Sequence, residues 1–237
     1  MQLRLAGLVI TAALFALSAG SAQAASLSVT SPCLRATLPA GDMTITGTGF
    51  APSSQILLYS GTTTPTPQTS IFDSSATDAS GTFSVKFTIP APPESGKSIN
   101  EAQFTIAASD SAFTIASVTF DTTRLFADYK LGPAARDPQK QKVRFSAFGF
   151  GAGLAAGAPA PPIYIHYITP RGKLKQTVLL GSGTGPCGSI TKTALKRLFP
   201  FALTRGTWAL QFDTRKGFTR GKITSRFLWH RLTVTLS

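Results

Sequence analysis

The chain is predicted to be all-β, a tandem of two β-sandwich domains behind a secretion signal. Three observations predict this. Apolar and polar residues alternate with a period of two along several short segments, each stopped by glycine or proline. Thr, Ser, Gly, Pro and Phe are abundant while long helical patterns are scarce. A strand-and-turn unit is also stated twice: residues 44–50 read Thr-Ile-Thr-Gly-Thr-Gly-Phe, and one hundred residues later 144–150 read Arg-Phe-Ser-Ala-Phe-Gly-Phe.

Residues 1–24 read as a signal peptide, with Arg4 as a short basic start, an apolar run from Leu5 to Leu17 and a small-residue cleavage site at Ala22-Gln23-Ala24. That run is shorter than the ~20 residues needed to span a bilayer. Ala25 rather than Cys follows the site, so no lipid anchor is expected there. No later segment is apolar enough to cross a membrane, and the mature chain is expected to be secreted or extracytoplasmic, with an association with the cell wall.

The first domain is expected over 25–121. Leu27 and Val29 begin it, and Met43 and Ile45 lie on an alternating strand that ends at Gly47-Thr48-Gly49-Phe50. Gln55 to Tyr59 gives a short strand, and the Thr/Pro-rich stretch Thr62 to Ser70 reads as an exposed loop. After the turn at Asp78 to Gly81, Phe83, Val85, Phe87 and Ile89 alternate with Thr82, Ser84, Lys86 and Thr88 until Pro90. Phe104 with Ile106, then Val118 with Phe120, close the unit.

The second domain, 122–237, repeats the order. Val143 and Phe145 alternate with Lys142 and Arg144 before Gly149-Phe150. A Gly/Ala/Pro loop runs to Pro162, and Ile163 to Ile168 is the next strand. Gly188-Ser189-Ile190 takes the place of Gly81-Thr82-Phe83, and Phe199-Pro200 that of Ile89-Pro90. Thr191 to Phe199 fits either a strand or a helical turn. Trp208, Leu210 and Phe212 point one way into the core, and Leu232, Val234 and Leu236 form the last strand. The domains are expected to meet near Thr122 to Pro138.

The run Gly-Thr-Gly-Phe-Ala-Pro, followed by Asp-Ala-Ser-Gly-Thr-Phe and a strand ending Ile-Pro, resembles the bacterial Ig-like repeats of secreted and cell-wall proteins. The resemblance covers Ser26 to Asp121 well and the second half more loosely, where the long Gly/Ala loop and the basic content depart from it. It implies an Ig-like sandwich in each half and an extracellular spacer or adhesion role, with no active site.

Charge separates the halves. Between Ser26 and Asp121 three bases face seven acids, whereas from Thr122 onward 19 Lys and Arg face only Asp128, Asp137 and Asp213. Such asymmetry points to an anionic partner, here an anionic cell-envelope polymer or surface. The spacing of two puts Lys140, Lys142 and Arg144 on one strand face, and Arg171, Lys173 and Lys175 form a second basic group. A row of cations on a rigid sheet follows a polyanion and releases its counterions. A solvated basic face that keeps the protein soluble is the alternative. No RNP motif, zinc finger or basic recognition helix is present, so nucleic acid is not expected.

Cys33 and Cys187 lie one in each half, so a disulfide would join the domains or two chains; two unpaired thiols are the other reading. No metal-ligand spacing and no cofactor motif occurs, and no enzyme is expected. The sharpest catalytic arrangement would be Cys187 as nucleophile, His166 as base and Asp213 orienting it. A His about twenty residues before a Cys-Gly is similar to the wall L,D-transpeptidases, but that family's histidine beside the cysteine and its following basic or amide residue are missing. His166 is otherwise expected on a strand with its ring half-covered by Tyr164, and Trp229 is the exposed candidate for carbohydrate stacking.

Overall fold

The computed structural model describes residues 24–36, 42–62, 70–89, 100–135, 137–220 and 228–235. Among them the structure is all-β, and the only helical turn is a 3-10 turn at Pro138–Lys140. In the first half β1 (Ser26–Val29), β3 (Asp42–Thr48) and β6 (Phe83–Thr88) form one sheet in the order β1-β3-β6. The other sheet runs β2-β8-β7-β4-β5, from β2 (Cys33–Arg35), β8 (Ile115–Thr123), β7 (Glu101–Asp110), β4 (Gln55–Thr62) and β5 (Ser70–Ala76). The alternation expected of β3 and β6 holds: Met43, Ile45 and Phe83 face inward while Ser84, Lys86 and Thr88 are exposed. They meet Ile56, Leu58, Ile106 and Phe120 of the facing sheet in one core, where each such side chain contributes about 1.5–3 kcal/mol by leaving water.

The second half repeats this order. Its sheet β13-β10-β9 is built from β9 (Phe126–Leu131), β10 (Lys142–Phe148) and β13 (Lys196–Arg197), and matches β6-β3-β1. The sheet β12-β11-β14-β15 matches β5-β4-β7-β8, with β11 (Pro162–Ile168), β12 (Leu174–Ser182), β14 (Gly206–Asp213) and β15 (Leu228–Val234). Val143, Phe145, Ile163, Ile165, Trp208, Leu210 and Phe212 form a second core. After β3 and after β10 the chain turns through Gly49 and Gly149, both at φ 77°, a conformation that a side chain at Cβ disfavours. The Phe that follows each, Phe50 or Phe150, is buried.

The copies differ at Thr191 to Phe199, which is neither a regular strand nor a helical turn. Gly47 pairs with Phe83 and Met43 with Phe87, four residues apart on each strand. Ala147 bridges Ile190 and Val143 pairs with Lys196, so six residues oppose four and two are accommodated as bulges. Thr193 restores the ladder there: its N–H donates to Phe145 O at 2.9 Å, and its Oγ1 accepts from Phe145 N at 3.0 Å. The counterpart of Ile89 in the second half is accordingly Leu198 rather than Phe199, because Lys142 pairs with Arg197 where Asp42 pairs with Thr88.

The stretch Thr122 to Pro138 holds the end of β8, all of β9 and the start of the 3-10 turn. β8 runs to Thr123 and β9 begins at Phe126, leaving Arg124 and Leu125 as the connection. Cys33 and Cys187 are joined by a disulfide with a Cα–Cα distance of 5.1 Å, and both residues are buried. Hydrogen bonds flank the bond. Gly153 N donates to Cys33 O at 2.9 Å, Ser31 Oγ to Leu154 O at 2.7 Å, and Ser189 Oγ to the Glu101 carboxylate.

Candidate anion-binding surface

The six cations expected at the contact surface divide between two sheets. Lys142 opens β10 and is exposed, opposite the buried Val143 and Phe145. Lys140 does not share that strand. It closes the 3-10 turn, which forms because Asp137 accepts from Gln139 N through its carboxylate at 2.9 Å and from Lys140 N through its carbonyl at 2.9 Å. Arg144 is half-buried and its guanidinium donates to Thr193 O at 3.2 Å, which spends part of its hydrogen-bonding capacity on the fold. Arg171 and Lys173 occupy the β11–β12 turn and Lys175 the start of β12. Lys175 Nζ stands 6.0 Å from the centre of the Phe201 ring.

The two expected groups therefore lie on opposite sheets, and of the first only Lys142 and Arg144 share a strand. Strand direction brings them to one end. β10 runs from Lys142 toward Gly151, whose N–H donates to Cys187 O at 2.8 Å, and β11 returns from Pro162 to Ile168. Lys142 and the β11–β12 turn thus share the end remote from the disulfide.

The outer face of β12-β11-β14-β15 holds a buried polar group. His166, Gln211 and Asp213 are each 0% exposed, because residues 214–220 fold back over them. Arg215 fixes that segment, donating to Asp213 from its backbone N at 3.0 Å, from Nε at 3.1 Å and from Nη2 at 2.9 Å. His166 Nδ1 bonds Thr177 Oγ1 at 2.8 Å, Nε2 reaches Arg215 O at 3.2 Å, and the Phe218 ring covers it at 5.4 Å. The ring is fully rather than half covered, and Phe218, from the segment beyond β14, lies over it. Burial lowers the His166 pKa below its ordinary 6.5; the Asp213 charge opposes that shift.

Asp213 does lie beside the His-Tyr strand, paired with Tyr164. The catalytic arrangement still fails at its nucleophile: the Cys187 sulfur is bonded to Cys33 and offers no thiol. Among the described residues no group of three His, Cys, Asp or Glu is placed to hold a metal ion, and no helix is long and apolar enough to cross a membrane. Trp208 is a core residue at 1% exposure whose Nε1 donates to Thr204 O at 2.9 Å. The side chain of Trp229, Leu236, residues 63–69 and residues 1–23 of the expected signal peptide 1–24 lie outside the described residues.

Two residues absent from the expected set join Arg171. Arg220 and Arg231 line the same cleft on the outer face of this sheet, with Ile168, Pro170, Gly172 and Ala209. Their signal in the sequence was weak, because Arg220 stands in a loop and Arg231 is a lone cation between His230 and Leu232 on β15.

No protein-family profile matches the chain, and no curated protein matches it. Among solved structures it is similar to a tetra-tandem repeat in the extending region of a large adhesion protein. That likeness has 13% identity and a TM-score of 0.25, covering 88% of this chain and 47% of the other. It is also similar to red sea bream transglutaminase, with 9% identity and a TM-score of 0.29, covering 89% of this chain and 31% of the other. The chain spans less than half the length of either protein. Likeness at this level does not extend to activity, ligand or partner.

Proposed function

We propose that this is a noncatalytic, exported, envelope-associated binding protein of two Ig-like sandwiches, whose basic second half contacts an anionic surface polymer. The observation that carries the reading is the uncompensated charge of that half: 19 Lys and Arg against three Asp, with Lys142, Arg171 and Lys173 exposed at one end. Asp213, one of those three acids, is already taken by Arg215. The strand orders β1-β3-β6 and β2-β8-β7-β4-β5 support an Ig-like assignment, since they place a split first strand on both sheets. The disulfide supports export, because such bonds persist in oxidising compartments. A spacer role is the second reading, favoured by the disulfide and hydrogen bonds that tie the halves together.

Cosedimentation of the mature chain with cell-wall material over a salt series separates the two. Binding should be lost between about 0.1 M salt, where charges act over ~10 Å, and about 1 M, where they act over ~3 Å. Lys142→Glu, Arg171→Glu and Lys173→Glu together should abolish it at low salt. A spacer predicts no sedimentation at any salt and no effect of charge reversal.

A further inference from the structure

Arg171, Arg220 and Arg231 come from three separate stretches of chain yet surround one cleft of about 400 Å³. Two local features make it. Ile168, Ala209 and Arg231 are aligned across adjacent strands, and the small Ala209 side chain leaves the sheet surface low between its larger neighbours. In the β11–β12 turn, Gly172 adopts φ 77°, and a Cβ there would stand 2.7 Å from Arg220 Nη1. Glycine thus lets the Arg220 guanidinium lie against the turn at the cleft wall. All three arginines are exposed.

Among the described residues no carboxylate lies within ion-pair distance of these arginines. Asp213 is on the same face of β14 but is buried beneath Arg215. Asp128 belongs to β9 and Asp137 to the turn before β10, on the other sheet. Three guanidinium groups gathered without an acid repel one another, and an anion would relieve that repulsion. Guanidinium also has the planar donor fork that matches phosphate and carboxylate oxygens in pairs.

We propose that this cleft is a subsite for one phosphoryl group, a phosphate ester carried by the anionic polymer, an inference that rests on the polymer-binding reading above. Three donors arriving from a turn, a loop and a strand suit a tetrahedral oxyanion, which offers oxygens in three directions. A carboxylate offers two oxygens in one plane, and two arginines saturate it. The volume is in the range of small-molecule sites and leaves room beside the phosphate. Ile168, Pro170 and Ala209 provide an apolar floor there for the carbon skeleton of the ester, with Thr207 at its edge.

The test is calorimetric titration of the mature chain with glycerol phosphate, inorganic phosphate and glucuronate, alongside cosedimentation with the wall polymer. Glycerol phosphate should bind, glucuronate should bind at least about tenfold more weakly, and inorganic phosphate should fall between them because it lacks the skeleton. Arg171→Gln, Arg220→Gln and Arg231→Gln should each weaken glycerol phosphate by about tenfold or more, while Lys86→Gln, on the exposed face of β6 in the other half, leaves it unchanged. Ala209→Leu fills the cleft without altering any charge and should abolish the binding; thermal unfolding of each variant identifies any that fails to fold. Equal affinity for glucuronate, or wild-type affinity in the arginine variants or in Ala209→Leu, overturns the subsite. Polymer binding untouched by the triple arginine variant also overturns it and leaves the broader reading standing. Glycerol phosphate bound at the arginines with no polymer sedimenting overturns the polymer reading and leaves a free phosphate ester as the ligand.

Discussion

β7 and β14 occupy the same place in the two halves, and each ends in a buried aspartate, Asp110 or Asp213. The two carboxylates hold different loops. Asp110 accepts from Ala112 N and Thr114 N through Oδ1 and from Ala51 N through Oδ2, clamping a tight hairpin that presents Phe113, at 86% exposure, to solvent. Asp213 instead holds Arg215 and draws residues 214–220 back across the sheet. The same strand end therefore closes a bare hairpin in one half and anchors a covering segment, with Arg220 at its far end, in the other. A second pair makes the same point. Ser80 and Cys187 each precede the glycine that opens the strand opposite β3 or β10, yet Ser80 is exposed and bonded to its own Asp78, while Cys187 is buried against the first half. Repeated topology leaves turn chemistry free to diverge.

The comparison is broken most severely through the cores. Phe145→Ala and Ile45→Ala remove matched inward residues of β10 and β3, both essentially unexposed. The costs should be about 3–5 and about 2–5 kcal/mol respectively. If the two cores unfold as separate units, calorimetry should show each variant lowering a different transition.

Next in size is the junction. Cys33→Ser with Cys187→Ser opens a covalent link across 154 residues of chain, and chemical denaturation should record a loss of about 2–4 kcal/mol. Reductant should mimic the double variant in the wild type and have no effect on the variant.

The paired aspartates come third. Asp213→Ala and Asp110→Ala should each cost about 1–3 kcal/mol, from buried donors left without an acceptor. They should part in function: only Asp213→Ala frees the segment that carries Arg220, so only it should weaken glycerol phosphate. Unchanged glycerol phosphate binding in Asp213→Ala would mean the covering segment does not depend on its carboxylate anchor.

The smallest effect is a pH dependence confined to the second half. The folded state holds His166 below its ordinary 6.5, so the unfolded chain binds the proton more readily. Stability from this group is complete above about pH 6.5 and falls as the pH drops below it. Urea midpoints at about pH 7.5 and about pH 5.5 should therefore differ more for the wild type than for His166→Asn. Glu101 and Asp121, both raised by burial, act in the opposite sense at lower pH and cancel in that difference.

The strands legible in the sequence are those with one wet and one dry face. β3, β6 and β10 announce themselves by alternation because each is half-buried in a sandwich. β2 has three residues and pairs parallel with β8, too short to show any period. β5 reads as Ser-Ile-Phe-Asp-Ser-Ser-Ala, an edge strand with little apolar content. β9 buries only Ala127 fully, so its segment shows no regular alternation. The bulged stretch 191–195 escaped because inserted residues destroy the very period by which strands are read.

The candidate surface divides in the same manner. Charge asymmetry between the halves, the duplicated unit and the identity of every cation follow from composition and order along the chain. Which cations share a surface does not follow from either. Lys140 left the expected row because a local turn captured it, and Arg144 was partly consumed by the carbonyl of a bulge residue 49 positions away. Arg171, Arg220 and Arg231 meet because antiparallel pairing aligns β11, β14 and β15 and Asp213 ties down a loop. Alternation is a nearest-neighbour property, set by one strand and the boundary between core and water. Convergence is a long-range property, set by register between strands and by the loops that buried polar groups hold in place.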